Sequence, residues 1–141
     1  MRTRTVTAAL ILVSLACSST EPVVLEGSYQ LMSENGQALP SDPFAPSGCC
    51  LTLSGSLTLT ADTYSLQTSH RNKNNNLTFA NAEEGTYARA SNTLMFSRTS
   101  GSGVNFPYLL GPGTIAANGN LTLLWGDEGP GSNQVSAVFA K

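Results

Sequence analysis

From Ser28 to the C-terminus, apolar and polar residues alternate with a period of two, and no segment after the first sixteen residues carries a helical period. Stretches such as "GSLTLTADTYSL" set Leu57, Leu59, Tyr64 and Leu66 on one face and Ser or Thr on the other. Strands are expected over Ser28–Ser33, Leu51–Thr60, Thr63–Arg71, Gly85–Ala90, Thr93–Arg98, Gly113–Ala117, Asn120–Trp125 and Gln134–Ala140. The turns between them are written in the sequence as Asn35-Gly36, Ala61-Asp62, Ser91-Asn92 and Asn118-Gly119. Asn-Gly supplies the positive φ that a two-residue hairpin turn requires.

Eight strands with one apolar and one wet face bury the apolar face most simply by closing the sheet on itself, which also removes its edges. An all-β, antiparallel, up-and-down barrel is the first expectation, and a two-sheet β-sandwich is the alternative. The inward set is Tyr29, Leu31, Leu57, Leu59, Tyr64, Leu66, Leu94, Phe96, Leu121, Leu123, Trp125, Val135, Ala137 and Phe139. The hairpins "GSLTLTADTYSL", "GTYARASNTLMF" and "GTIAANGNLTLL" resemble one another, a weak internal repeat that supports a meander.

The N-terminus is of another kind. Arg2 and Arg4 precede an apolar run, Val6 to Ala16, whose roughly ten residues suit a signal-peptide core and fall well short of the twenty of a membrane span. Residues 1–16 are read as a signal peptide, 17–26 as a cysteine and tether, and 27–141 as one domain. The segment "VSLAC", ending on Cys17, resembles the lipobox of bacterial lipoproteins. That resemblance implies acylation of the Cys17 thiol, palmitate being a typical chain, and a membrane anchor in the bacterial cell envelope. Two or three acyl chains anchor stably where one is marginal. Ser14-Leu15-Ala16 also fits the small-x-small rule of ordinary signal peptidase, so a secreted or periplasmic protein is the alternative.

Composition narrows the function. The chain carries seven Lys and Arg against nine Asp and Glu, and grows more acidic once Arg2 and Arg4 leave with the leader. Nothing basic is clustered, so nucleic acid is not an expected partner. His70, the single histidine, lies in "HRNKNNN" and reads as a solvated loop tip, with no metal-ligand spacing around it. Glu83-Glu84 and Asp127-Glu128 are acidic pairs, read as surface charge because neighbours in a strand face opposite ways and "GDEGPG" is a loop. No phosphate cradle stands between a strand and a helix. No catalytic residue, metal or cofactor is therefore assigned, and the chain is not read as an enzyme. Asn76-Leu77-Thr78 and Asn120-Leu121-Thr122 match the glycosylation pattern, read as chance matches in a bacterial protein.

Cys49-Cys50 is an adjacent pair. It reads first as a vicinal disulfide that shapes the entry to the strand at Leu51, with thiols free to bond another chain, or a redox or metal role, as the other readings.

The series "GSYQL", "NGQALP", "GSLTLTADTYSL", "GTYARASNTLMFS", "GTIAANGNLTL" and "VSAVFAK" resembles the lipocalin-like small lipoproteins of bacteria, over nearly all of residues 27–141. The resemblance implies a cup for a small apolar ligand; the aromatic inventory offers Tyr29, Tyr64, Tyr87, Phe96 and Trp125 to line it, and the alternative is that these side chains simply fill the barrel. The alternative function is a protein-interaction or inhibitor module acting through its loops. Arg89, two residues from Tyr87, is placed inward by parity. The expected resolutions are a one-residue slip of face, a rim position meeting Glu34, Asp127 or Glu128, or a contact with a ligand's anionic head.

Overall fold

The computed structural model describes residues 23–45, 48–103, 108–109, 111–126 and 134–141; the apolar run expected to be a signal peptide, Cys17, Asp127 and Glu128 lie outside the described residues. Ten strands run in chain order: β1 (Gly27–Glu34), β2 (Gln37–Ala38), β3 (Cys50–Leu59), β4 (Thr63–Asn72), β5 (Thr78–Ala90), β6 (Thr93–Ser102), β7 (Tyr108–Leu109), β8 (Gly113–Ile115), β9 (Leu121–Gly126) and β10 (Gln134–Ala140). All eight expected strands are present; the short β2 and β7 are additional.

Every pairing is antiparallel, and each main strand bonds to the next in sequence around a ring β1-β3-β4-β5-β6-β8-β9-β10. The ring closes because β10 pairs with β9, from Gln134↔Gly126 to Phe139↔Leu121, and with β1, from Gln30↔Ala140 to Glu34↔Ala137. Closure rules out the sandwich. The turn chemistry is as expected at Asn35-Gly36, where φ values of 48° and 78° join β1 to β2, and at Ser91, where φ is 55°. The turn Ala61-Asp62 is closed by Thr60 N–H donating to Thr63 O at 2.9 Å.

The interior is filled by Tyr29, Leu57, Leu59, Leu94, Leu121, Leu123, Trp125, Val135, Ala137 and Phe139, each almost wholly removed from solvent. Burying a side chain of this size stabilises by about 1.5–3 kcal/mol. Trp125 and Phe139 meet edge to face at 5.9 Å, as do Tyr64 and Phe96 at 5.1 Å. Gly85 admits this packing, since a Cβ there would lie 2.2 Å from Ser97 O and 2.7 Å from the Tyr64 ring.

The two ends of the barrel differ. One end carries the tight turns 60–63, 91–92 and 118–119, and residues 23–26 lie across it. Leu25 is buried in the core, its carbonyl accepts from the Tyr29 hydroxyl at 2.7 Å, and Lys141 Nζ donates to Val24 O and Glu26 O at 2.8 and 3.0 Å. Residues 23–26, assigned to the tether from sequence, thus pack against this end of the barrel. The other end, the mouth, carries the longer connections β1–β3 and β4–β5.

Strand β5 begins at Thr78, well before the expected Gly85. Its early inward positions, Phe79, Asn81 and Glu83, face His70, Thr68 and Leu66 of β4. Two of those three are polar, so the alternation of hydrophobicity is absent from a segment that is nevertheless strand.

Candidate functional site

The mouth end holds what the apolar core lacks: buried polar side chains. Glu34, Ser41, Thr52, His70 and Glu83 all have under 5% of their surface exposed. His70 and Glu83 therefore correct the sequence expectation. His70 is no loop tip; it stands on β4 at the inward parity of Tyr64 and Leu66, and only Glu84 of the acidic pair faces solvent.

Glu34, the last residue of β1, accepts hydrogen bonds from the hydroxyls of Ser41 and Thr52. Ser41 is brought there by a loop that folds back over the barrel: its backbone pairs with Thr52, N–H to O at 3.0 Å one way and 2.8 Å the other. On β3 a bulge between Thr52 and Ser54 turns Thr52 inward, opposite His70. Thr52 Oγ1 lies 3.4 Å from His70 Nδ1, His70 Nε2 lies 2.7 Å from Thr68 Oγ1, and the imidazole stacks on Phe79 at 5.5 Å. A continuous polar chain thus runs from the carboxylate through Thr52 to the imidazole.

Burial dominates the electrostatics. It raises the Glu34 carboxyl pKa above the ordinary 4.5, against the lowering effect of its two hydroxyl donors, and it lowers His70 from 6.5 to about 4. A second carboxylate, Glu83, accepts from the Tyr64 hydroxyl and from the Leu109 N–H at 3.3 Å, which fixes β7 against the barrel. Burial, and then the bond to Glu83, raise the Tyr64 pKa.

At the rim, Lys73 Nζ meets Asp42 at 2.6 Å and Lys73 N–H donates to Cys49 O at 2.9 Å, tying the β4–β5 turn to the β1–β3 connection. That turn caps itself: Asn72 and Asn75 side chains accept from the amides of Asn74 and Leu77 at 2.8 and 3.0 Å, and Asn76 takes φ 59°. Leu77 is left two-thirds exposed on it. Cys49 and Cys50 form a disulfide, as expected.

The residues expected to line a ligand pocket are divided between the core and its edge. Tyr29, Tyr64 and Trp125 are core, while Tyr87 and Phe96 pack against it half-buried, 6.1 Å apart. Arg89 does not point inward. It is exposed at the end opposite the mouth, where Nε donates to Ser91 O at 2.8 Å and Nη1 to Val23 O at 3.0 Å, beside an open groove of about 280 Å³ that includes Glu26 and Tyr87. The inward parity of Tyr87 lapses there because β5 is about to turn at Ser91. Glu34, one of its expected partners, lies at the mouth instead. Parity from Tyr64 and from Tyr87 would have found His70 and Glu83; the Ser41–Glu34 contact had no signal in the sequence, because it depends on how the loop folds back.

The class defined by this ring of strands is a closed eight-stranded antiparallel barrel, consistent with a lipocalin-like fold. No protein-family model, no curated protein and no solved structure matches the chain. Among the described residues no three His, Cys, Asp or Glu are grouped as a metal site, and no helix is long and apolar enough to cross a membrane.

Proposed function

We propose that this protein is a lipid-anchored lipoprotein of the bacterial cell envelope, in which Cys17 carries the anchor and the barrel is a rigid support presenting its mouth loops to a protein partner. One observation carries the reading: residues 23–26 are fastened across the end opposite the mouth by Arg89, Lys141 and the Tyr29 hydroxyl. A membrane that holds the chain upstream of Val23 then lies at that end, and the mouth points away from it. The self-capped turn with exposed Leu77 and the Asp42–Lys73 clamp supply pre-ordered contact surface, which lowers the entropy lost on binding. Membrane fractionation of wild type and Cys17→Ala, with mass spectrometry of the mature N-terminus, tests the anchor. Acylated Cys17 in the membrane fraction of wild type alone is expected; an unacylated, soluble wild-type protein overturns it.

A small apolar ligand inside the barrel is the second reading, favoured by Trp125, whose buried indole N–H has no hydrogen-bond partner among the described residues. An acceptor atom on a ligand would satisfy it. Because Trp125 is the only tryptophan, its emission reports directly on the site. A saturable change on titration with palmitate supports this reading, and an unchanged spectrum removes it.

A further inference from the structure

The Cys49–Cys50 disulfide has no place in the function proposed above, and its position is unusual for a staple. A bond between consecutive residues closes no length of chain, so it contributes almost none of the unfolded-state constraint by which long-range disulfides stabilise. What it fixes is local: the backbone where the β1–β3 connection enters β3. That point is a junction. The Cys49 carbonyl accepts from Lys73 N–H, Cys50 pairs with Asn72, and two residues further on Thr52 holds Ser41 by a pair of backbone bonds. Ser41 in turn covers the Glu34 carboxylate. The bond is also open to attack from outside, because Cys49 is exposed while Cys50 is buried.

We propose that Cys49–Cys50 is a thiol-exchange site for an external dithiol, and that its reduction releases the loop that seals Glu34. Access selects the sulfur attacked. A thiolate of the dithiol attacks Cys49 Sγ, the Sγ–Sγ bond breaks, and Cys50 leaves as a thiolate that takes up a proton. The second thiolate of the reductant then attacks its own sulfur in the mixed disulfide, Cys49 leaves and is protonated, and the dithiol departs as a cyclic disulfide. Two electrons and two protons pass to the protein. With the ring gone, the backbone at 49–50 regains its freedom, and the Ser41–Thr52 pairing and the Lys73–Cys49 bond lose the junction that aligns them.

The test uses the full chain carrying Cys17→Ala, so that Cys49 and Cys50 are its only cysteines. The protein is treated with dithiothreitol without denaturant, alkylated with iodoacetamide, and compared with the untreated form by mass spectrometry and amide hydrogen exchange. Addition of two alkyl groups is expected, with loss of protection at Ser41, Thr52 and Lys73 and none at Leu57 or Leu123. The double variant Cys49→Ser/Cys50→Ser, unalkylated, should show the same local loss. A disulfide that resists reduction until denaturant is added overturns the proposal, and so does reduction that leaves Ser41 and Thr52 as protected as before.

Discussion

The hydroxyl of Tyr64 on β4 donates to the carboxylate of Glu83 on β5 inside the barrel wall, so a buried acid and a core aromatic are held by each other. Tyr64 faces Gly85 directly and Glu83 faces Leu66, which makes this a diagonal contact across the pair. Tyr64→Phe keeps the ring and its contact with Phe96 but deprives Glu83 of a donor. A loss of about 1–3 kcal/mol in denaturant unfolding is expected. A double-mutant cycle with Glu83→Ala, which removes the acceptor, should show coupling, and strict additivity would contradict the contact.

Gly85 occupies the space the same ring needs. Gly85→Ala brings a methyl group against Ser97 O and the Tyr64 ring at distances that require backbone movement. A cost of about 1–3 kcal/mol or more follows, visible as a lowered Tm. Gly36→Ala, where nothing lies within 4 Å, is limited to the strain of its φ of 78°.

Leu25 tests whether the N-terminal segment is part of the fold. Its side chain is core, so Leu25→Ala should destabilise by about 2–5 kcal/mol, whereas exposed Val24→Ala should change little. Equal effects of the two substitutions would place residues 23–26 outside the cooperative unit.

The barrel was readable because its lower half obeys a single rule. Tyr29, Leu57, Leu59 and Tyr64 alternate with Ser, Thr or Gln, and Asn35-Gly36 and Ser91-Asn92 mark where strands reverse. The mouth was not readable by that rule, because inside it Thr52, Thr68, His70, Asn81 and Glu83 replace the apolar set. Hydrophobic contrast disappears where both faces are polar, so the strand expected from Gly85 begins at Thr78 in the structure. The bulge at Thr52–Ser54 added a second obstacle, turning Thr52 inward in place of Leu53.

Stability should depend on pH through His70. Its folded pKa is about 4 against 6.5 unfolded, so between those values the unfolded chain binds a proton that the folded chain does not. Stability is full above pH 6.5 and falls as pH drops towards 4, by at most about 3 kcal/mol. Glu34 acts in the opposite sense: its raised pKa favours the folded state below 4.5, and that contribution is lost as pH rises through the folded value. The two are separated by comparing wild type with His70→Gln in urea between pH 4 and 7. The variant should lose the slope assigned to His70, and an unchanged slope would refute the assignment.

The proposed orientation, with an anchor at the end covered by residues 23–26 and the mouth facing away, is open to direct measurement. Acylated protein is reconstituted in vesicles with a dye placed, by a clickable side chain, at Asn75 on the mouth turn or at Ala61 in the tight turn at the opposite end. Energy transfer to an acceptor on the lipid headgroups then reports height above the surface. Strong transfer from position 61 and weak transfer from position 75 is the predicted result. Equal transfer from both, or stronger transfer from 75, would contradict the account.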